Sequence, residues 1–345
     1  MKILFLTLIL LTSVFSIESF NRVNKTYTIS SEKELKQNYF STISPHFYKS
    51  KLHYFTSFDN LKIAYKIFPV SHSKASLVIS SGRTEGMVKY QELIYDLNQN
   101  GYSVYILDHR GQGYSQRMLA DVQLGYVYHF EDYVKDLHQF VRDYVPKSKN
   151  MILIAHSMGG AIASLYVEEY PYNFDGLVLS SPMHQPDLLG ASLTNIACEL
   201  MELRDRDIDR YVLGEKSYDD EKHIFKENLL THSKLRYEIS KIAYDREPET
   251  KVGGPSVRWV KEACKGSKKS VDNANKIKIP VLLLQAEDDK IVNKNPQATF
   301  CKNTSPHCKE FQIDGAYHEL FMEKDSIRDK ALTAVLDFIA KIVSD

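Results

Sequence analysis

The sequence predicts an α/β fold: a mostly parallel central sheet with helices on both faces and a helical cap inserted between two strands. One observation is that short apolar runs, typical of buried strands, alternate with longer amphipathic segments, typical of helices. The other is a gap in this rhythm from about 183 to 275, where helical periodicity and heavy charge continue without a convincing buried strand. We interpret the gap as an insertion between two strands.

The N-terminus differs in kind from the rest of the chain. Lys2 precedes a long apolar stretch, and Val14 and Ser16 stand as the small residues before a cleavage site. This pattern predicts a secretory signal peptide at 1–16, a mature chain that begins near Ile17, and a secreted or periplasmic protein. An uncleaved anchor is the alternative, although the stretch is shorter than the roughly 20 apolar residues that a membrane span needs.

The first part of the predicted core spans 17–182. Two strand-like runs, 52–58 and 61–68, flank Asp59 and Asn60, a pair that suits a tight hairpin turn and predicts an antiparallel edge. After the hairpin, buried strands are predicted at 75–80, 103–107, 151–155 and 176–180. Between the strands, helices are predicted at 90–99, 130–144 and 158–169.

The predicted cap spans 183–275, and the second part of the core spans 276–345. A Gly-Gly-Pro sequence at 253–255 is a clear break inside the cap. Cap helices are expected at 188–203, 221–244 and 256–265. The alternating pattern returns with a strand at 278–285, and an amphipathic helix at 326–343 closes the chain.

The composition is ordinary for a globular protein, with 345 residues, of which 43% are hydrophobic and 26% charged. Lysine plus arginine and aspartate plus glutamate both number 44, so the chain has no net charge that would favour nucleic acid. A zinc site has little support, because the sequence contains no Cys-x-x-Cys motif and no Cys/His cluster.

The four cysteines, Cys198, Cys264, Cys301 and Cys308, permit up to two disulfides if the protein folds outside the cytosol. Four cysteines allow three pairings. Cys301 and Cys308 are close along the chain and flank a polar segment, so a local bond between them is the most natural. Four free thiols are the alternative.

The strongest local signal surrounds Ser157. The apolar strand at 151–155 leads into this serine, and Gly159 and Gly160 follow it at the start of a helix. The arrangement predicts a nucleophile elbow, a tight strand-to-helix turn that lifts the serine hydroxyl clear of the sheet. Ala155 replaces the first glycine of Gly-x-Ser-x-Gly, a mild departure because alanine is the next smallest side chain. An ordinary strand-to-helix turn is the alternative.

A serine nucleophile needs a base and an orienting acid, which hydrolases with this elbow supply in the order serine, acid, histidine. Asp289 follows a predicted strand and precedes an apolar pair at 291–292 that would anchor its loop; Asp288 is the runner-up. His318 follows a short strand and a glycine turn, and its neutral nitrogen can take the serine proton. We therefore predict a triad of Ser157, Asp289 and His318.

Three other histidines fit the role of the base less well. His156 adjoins the serine but cannot turn back toward its hydroxyl, His109 follows an earlier strand, and His184 precedes the predicted cap. His109 belongs to Asp-His-Arg-Gly-Gln-Gly at 108–113, whose glycines suggest a phosphate loop, although neither GxGxxG nor a P-loop lysine is present. We interpret this segment as a structural loop that braces the edge of the active site.

The oxyanion of a tetrahedral intermediate needs hydrogen-bond donors. One is predicted to be the backbone N–H of Met158, at the start of the helix after the elbow. The second is expected in the loop after the strand at 75–80, where Gly82 lets the backbone turn and Arg83 presents its N–H. The usual sequence at this place is His-Gly, whereas this chain has Ser-Gly, and a plain surface turn is the alternative.

The motifs AHSMGGAI at 155–162, DHRGQG at 108–113 and LLLQAEDDKIV at 282–292 resemble those of the bacterial lysophospholipase family, which belongs with the monoacylglycerol lipases. The likeness runs from about residue 52 to the C-terminus. It includes segments of the cap, at 231–233 and 252–255, and caps vary most between hydrolase families.

The resemblance implies the α/β-hydrolase fold and a serine esterase that cleaves a lysophospholipid or a monoacylglycerol through an acyl-enzyme on Ser157. It implies no metal or organic cofactor. The leader departs from the family's usual cytoplasmic or membrane-associated members. Contact with a membrane is expected for access to the substrate. Apolar cap residues would line an acyl tunnel or pack the cap onto the core: Leu188, Leu189, Leu193, Ile196, Leu200 and Met201.

Other activities are compatible with the same three residues. An aminopeptidase-like enzyme would attack an amide, and an acyltransferase would pass the acyl group to an alcohol. A peptidase needs acids to hold an ammonium group, but the candidate acids alternate with arginines, which favours a solvated face: Glu202, Asp205, Asp207 and Asp209. A non-catalytic binding protein is the alternative from another class, although this chain keeps the whole predicted triad.

Overall fold

The computed structural model of the protein describes residues 27–188, 191–203, 208–222 and 224–344, and the predicted signal peptide lies outside them. The described chain forms an eight-stranded sheet. Its strands are β1 (His53–Thr56), β2 (Lys62–Phe68), β3 (Ser76–Ser80), β4 (Ser103–Leu107), β5 (Met151–His156), β6 (Gly176–Ser180), β7 (Val281–Ala286) and β8 (Cys308–Ile313).

The strand order across the sheet is β1-β2-β4-β3-β5-β6-β7-β8. β1 and β2 are antiparallel, and the remaining strands are parallel to one another. Strands β3 to β7 are buried along their whole lengths, as expected for a sheet that is covered on both faces. Because β5 lies between β3 and β6, the loops that follow these three strands meet at one edge of the sheet.

Ten α-helices occur in the described residues. They are α1 (Glu32–Asn38), α2 (Ser44–Lys49), α3 (Gln91–Gln99), α4 (Glu131–Tyr144), α5 (Met158–Glu169), α6 (Ala191–Glu202), α7 (Lys234–Arg246), α8 (Val257–Asp272), α9 (Lys294–Asn303) and α10 (Asp325–Ser344). Helices α4, α5, α8 and α9 pack on one face of the sheet, and α2, α3 and α10 pack on the other. The predicted architecture is confirmed. None of the described helices is long and apolar enough to cross a membrane.

The predicted two-residue hairpin turn between β1 and β2 is wrong. The last bridge joins Thr56 and Lys62, the Ser57 N–H donates to the Leu61 carbonyl at 2.8 Å, and the Asn60 N–H donates to the Ser57 carbonyl at 3.0 Å, so the tight turn is centred one residue earlier than predicted. The loop is held by Arg110, which donates to both carboxylate oxygens of Asp59, at 2.8 and 3.3 Å, and to Ser57 Oγ at 3.1 Å. These tertiary contacts hold a tight turn that is displaced by one residue from the predicted one.

The connection between β6 and β7 contains α6, α7 and α8, as the helical periodicity predicts. The helix predicted over 221–244 is wrong in its first half. The Asn228 side chain accepts two backbone N–H groups of a turn there, and Ser233 caps α7 by accepting the N–H of Arg236 at 3.1 Å. Helix α8 extends past its predicted end to Asp272.

Two disulfides join elements of the described chain. Cys301 in α9 bonds to Cys308 in β8, which is the local pair that the sequence favours. Cys198 in α6 bonds to Cys264 in α8. Because α8 lies in the same hydrophobic cluster as α5, the second bond ties the exposed helix α6 to the core.

Candidate active site

Ser157 occupies the turn between β5 and α5. Its backbone has φ 52° and ψ −119°, a combination that serine rarely adopts. A Cβ on Gly159 would lie 2.2 Å from the Ser80 carbonyl oxygen, and one on Gly160 would lie 2.6 Å from Pro182 Cβ. Glycine is therefore required at both positions, because helix, strand and loop pass too close for a side chain. These are the features of the predicted nucleophile elbow.

The structure brings the three predicted triad residues together. His318 Nε2 lies 2.9 Å from Ser157 Oγ, and His318 Nδ1 lies 2.7 Å from Asp289 Oδ2. Ser157 is 8% exposed and His318 is 3% exposed. The runner-up acid, Asp288, is exposed, and its backbone N–H binds the Ala316 carbonyl. The geometry therefore favours Asp289 as the partner of the histidine.

Asp289 is held so that it stays ionised. Its Oδ1 accepts the backbone N–H of Ile291 at 2.8 Å and that of Val292 at 3.1 Å, so the apolar pair anchors the loop as expected. Burial raises the pKa of this carboxyl, but His318 and the two N–H groups outweigh burial and leave the pKa below its ordinary value. A carboxylate here can fix the tautomer of the imidazole and stabilise its protonated form.

The loop that carries His318 is tied to the segment between the cap helices. One carboxylate oxygen of Glu323 accepts the backbone N–H of Tyr317 at 2.9 Å and lies 2.7 Å from His232 Nδ1. The rings of Tyr317 and His232 also lie 3.8 Å apart. The histidine is therefore positioned from two sides, by Asp289 and through Glu323.

The two predicted oxyanion donors lie at the same edge of the sheet. Met158 is the first residue of α5, and Arg83 follows the end of β3. A first-turn N–H has no partner inside its helix. In the described part of the chain, neither backbone N–H donates to another protein group. The loop of Arg83 approaches the elbow closely, since a Cβ on Gly82 would lie 3.2 Å from His156 Cδ2.

The segment at 108–113 braces this edge, as the sequence suggests. Asp108 accepts the backbone N–H of Met87 at 2.6 Å and that of Tyr114 at 2.7 Å. The side-chain amide of Gln112 donates to the carbonyl oxygens of Gly82 at 2.7 Å and of Glu85 at 2.9 Å. The loop thereby fixes the backbone on both sides of Arg83.

The three histidines that fit the role of the base less well are buried, and each contacts a polar backbone or side-chain atom. His156 Nδ1 lies 3.1 Å from the Ser180 carbonyl, His109 Nε2 lies 2.9 Å from Ser80 Oγ, and His184 Nε2 lies 3.1 Å from Ser164 Oγ. Burial lowers the pKa of all three, to about 4, 3 and 3 respectively. They do not contact the Ser157 hydroxyl in the described hydrogen bonds.

Sequence reasoning missed a buried cluster beside the triad, formed by Glu85, Lys89 and Glu319. Lys89 Nζ contacts one carboxylate oxygen of each acid, at 2.7 and 2.5 Å. The four-residue spacing of Glu85 and Lys89 is a recognisable signal for a helical ion pair. Glu319 lies 230 residues further along the chain from Lys89 and gives no local signal.

The apolar cap residues predicted to line an acyl tunnel or to pack the cap onto the core lie in two different environments. Leu188 and Met201 pack against the main hydrophobic cluster, whereas Ile196 and Leu200 are exposed. Leu189 and the side chain of Leu193 lie outside the described part of the structure. Two of these described cap residues therefore pack the insertion onto the core, and the other two face outward.

Comparison with known proteins places this site in context. A family model described as serine aminopeptidase, S33, matches residues 71–325. Lysophospholipase L2 of Escherichia coli strain K12 is 38% identical over 298 residues, which cover 82% of this chain and 86% of that protein. Monoglyceride lipase of Rattus norvegicus is 26% identical over 282 residues, covering 79% of this chain and 84% of the lipase.

The fold has solved counterparts. A soluble variant of monoglyceride lipase from Saccharomyces cerevisiae, in complex with a substrate analog, superposes with a TM-score of 0.67 and is 20% identical. The match covers 85% of this chain and 95% of that structure.

Proposed function

The chain belongs to the serine aminopeptidase S33 family of α/β hydrolases, together with lysophospholipase L2, and we propose that it hydrolyses the acyl ester of lysophospholipids or monoacylglycerols. The observation that carries the proposal is the continuous hydrogen-bond chain from Asp289 through His318 to Ser157, at the tip of the elbow. The named activities of the most similar relatives supply the substrate class.

The proposed reaction follows from this geometry. His318 Nε2 takes the proton of Ser157 as Oγ attacks the ester carbonyl, and the N–H groups of Met158 and Arg83 receive the oxyanion. The same nitrogen then gives its proton to the departing glycerol oxygen, which leaves an acyl-enzyme. Water, activated by the histidine in turn, attacks the acyl-enzyme and releases the fatty acid. Asp289 stabilises the imidazolium in both halves.

The side chain of Arg83 favours a substrate with a charged head group over one with an uncharged head group. In the described hydrogen bonds its guanidinium donates only to the Gly253 carbonyl, at 3.4 Å, and it lies 5.3 Å from the centre of the Trp259 ring. Burial lowers the pKa of this arginine, and Glu215 and Tyr133 offset that effect only in part. A phosphate of a lysophospholipid would supply the bidentate acceptor that a guanidinium prefers. We therefore propose lysophospholipids as the preferred substrates.

We further propose that α6 contacts a membrane surface during access to the substrate. Ile196, Leu200 and Leu203 are spaced as one helical face and are 54%, 63% and 80% exposed. Leu213, further along the insertion, is fully exposed. Apolar side chains presented together are a usual feature of surfaces that bind lipid.

The leader at 1–16 is proposed to direct export to the periplasm or the medium. The two disulfides support this proposal, because such bonds persist mainly outside the cytosol. N-terminal sequencing of the protein recovered from the periplasm or the medium tests it: a start near Ile17 is the expected result, and recovery of the full chain in the cytosol would contradict it.

An amide-cleaving activity is the main competitor. Of the acids that a peptidase would use, Asp209 pairs with Arg258 at 2.7 Å, and Asp205 and Asp207 lie outside the described residues. The test compares the release of fatty acid from a lysophosphatidylcholine and a monoacylglycerol with the cleavage of an aminoacyl amide. The wild type is expected to cleave the esters only. Cleavage of the amide alone would overturn the proposal, and transfer of the acyl group to added alcohol in place of hydrolysis would identify an acyltransferase.

A further inference from the structure

Lys89 lies between two buried carboxylates that belong to different loops of the site. Its Nζ is 2.7 Å from Glu85 Oε1 and 2.5 Å from Glu319 Oε1, and the three side chains are 9%, 7% and 8% exposed. An ion pair at this depth is strong only where its geometry is good, and loss of one partner leaves an uncompensated charge. The lysine is therefore the single cation that both described acids share.

Glu85 connects Lys89 to the backbone that would bind the oxyanion. Its second oxygen accepts the backbone N–H of Gly82 at 2.6 Å and the hydroxyl of Tyr90 at 2.5 Å. Residues 82–85 thus form a turn closed by the carboxylate, with Arg83 inside it. Burial raises the pKa of Glu85, but Lys89 and His156 outweigh burial and bring it to about 2, so the carboxylate remains an acceptor.

Glu319 connects Lys89 to the loop of the proposed base, His318. It directly follows His318, and its backbone N–H donates to the Leu230 carbonyl at 2.9 Å. With its carboxylate held by Lys89, the peptide after the histidine is fixed at both ends. The oxyanion loop and the histidine loop are therefore joined through one ammonium group.

The charge of Lys89 matters as much as its length. Glu85, His156 and Glu319 place potential ligand atoms within 4.8 Å of one another, a spacing at which two carboxylates repel strongly. The His156 ring lies 4.8 Å from the His318 ring, so the cluster is immediately behind the triad. Removal of the cation would drive one acid to take up a proton or move, and either change would release one of the two loops.

We propose that Lys89 is a positioning residue, which sets the distance between the oxyanion donor of Arg83 and the base His318 by bridging Glu85 and Glu319. The proposal rests on the proposed ester hydrolysis. The effect on kcat should exceed the effect on KM. The reason is that a displaced oxyanion donor stabilises the transition state less well, whereas binding of the substrate in the ground state depends little on this donor.

The test measures kcat and KM of Lys89→Ala for a soluble ester, p-nitrophenyl butyrate. We expect kcat to fall about 10- to 100-fold while KM changes less than about threefold, in line with the cost of a small misplacement. Added n-propylammonium, which replaces the missing side chain and its charge, is expected to restore part of kcat, whereas n-propanol is not. An unchanged kcat, or equal recovery with both additives, would overturn the proposal.

Lys66→Ala is the matched control. Lys66 is also buried, but its ammonium group bonds to the carbonyl oxygens of Phe47 and Ser50, and it bonds to neither Glu85 nor Glu319 in the described hydrogen bonds. Its kcat per folded molecule should equal that of the wild type, and a loss like that of Lys89→Ala would assign both effects to general destabilisation.

Glu319→Gln provides a second test should Lys89→Ala fail to fold. The amide keeps the shape of the side chain and removes the charge on one side of the bridge, so kcat should fall about 3- to 10-fold at constant KM. Wild-type kcat in this variant would overturn the proposal. A wild-type enzyme without any ester activity would instead overturn the proposed function, and the bridge with it.

Discussion

The side-chain amide nitrogen of Gln112 lies 2.7 Å from the carbonyl oxygen of Gly82, and this contact joins the loop after β4 to the loop after β3. The same nitrogen donates to the Glu85 carbonyl at 2.9 Å, while Gln112 Oε1 accepts the backbone N–H of Thr84 at 3.2 Å. One side chain therefore satisfies three backbone groups around Arg83. In the described hydrogen bonds the N–H of Arg83 has no acceptor, as the proposed oxyanion donor requires.

Gln112→Glu should lower kcat for a soluble ester about 10- to 100-fold, because a carboxylate cannot donate to the two carbonyl oxygens and would repel them. Steady-state kinetics with p-nitrophenyl butyrate measures the effect. Gln116→Glu is the control: Gln116 Oε1 accepts the backbone N–H of Lys62 at 3.0 Å, and a carboxylate keeps that acceptor. Equal activity of the two variants would contradict a bracing role for Gln112.

Arg83→Met should discriminate between head groups. The substitution leaves the backbone N–H in place and removes the guanidinium, so hydrolysis of a monoacylglycerol should continue with little change. KM for a lysophosphatidylcholine should rise about 10-fold or more, since the charged partner of the phosphate is lost. Parallel kinetics on the two lipids, with the same acyl chain, measures the ratio. A proportional loss on both lipids would place Arg83 outside the head-group site.

The sequence predicts the central sheet well because its strands are buried on both faces and appear as plain apolar runs. The predicted strand at 103–107 has the bounds of β4, and the predicted helix at 158–169 has those of α5. Ser157, Asp289 and His318 each follow a strand in a fixed order, so the sequence could predict that these three side chains come together. Local patterns of residue type are sufficient for elements of this kind.

Other features depend on contacts between distant residues, and the sequence does not reveal them. The hairpin loop is shaped by Arg110 rather than by Asp59 and Asn60 alone. Helices α1 and α2 are not predicted, and they are fixed in part by distant partners, as when Glu32 in α1 receives the Ser233 hydroxyl. The Lys89 bridge joins parts of the chain that only the folded sheet brings together.

The Cys198–Cys264 bond should contribute more to stability than the Cys301–Cys308 bond. It closes 66 residues of chain, against 7 for the other bond. Loop-closure entropy then gives about 4 kcal/mol for the first and about 2 kcal/mol for the second. Urea unfolding of the two double alanine variants measures both values. A larger loss of stability on removal of the Cys301–Cys308 bond would contradict the expectation from loop-closure entropy.

The long-range disulfide should also affect substrate choice, because it holds α6 on α8. Without it, activity on a long-chain lysophospholipid should fall relative to activity on p-nitrophenyl butyrate, while removal of the Cys301–Cys308 bond should leave that ratio unchanged. If the ratio of lysophospholipid activity to p-nitrophenyl butyrate activity were equal in the two variants, α6 would have no role in substrate access.

Buried histidines should make the protein sensitive to mild acid. The pKa of His184 is lowered by burial to about 3, against an ordinary value of 6.5. Between these values the unfolded chain binds the extra proton, so stability falls as the pH falls below about 6.5. At pH 5 the expected loss is about 2 kcal/mol for each such histidine, and His109 and His156 behave alike.

His184→Phe should reduce the loss of stability between pH 7 and pH 5 by the contribution of one histidine, about 2 kcal/mol. The ring of His184 stacks on Phe300 at 4.1 Å, and Ser164 keeps its bond to the Gly160 carbonyl after the change. Chemical denaturation at pH 7 and at pH 5 gives the two free energies of unfolding. An identical difference in the variant and the wild type would mean that the pKa of His184 is the same in the folded and the unfolded chain, and would contradict the prediction.

We propose that Ser157 carries the acyl group during turnover. The most direct test is rapid quenching of the reaction with a palmitoyl lysophosphatidylcholine, followed by mass spectrometry of the peptide that contains this serine. We expect a palmitoyl adduct on Ser157 that disappears as fatty acid is released, and neither adduct nor turnover in Ser157→Ala. Fatty acid release that continues in Ser157→Ala would rule out Ser157 as the nucleophile.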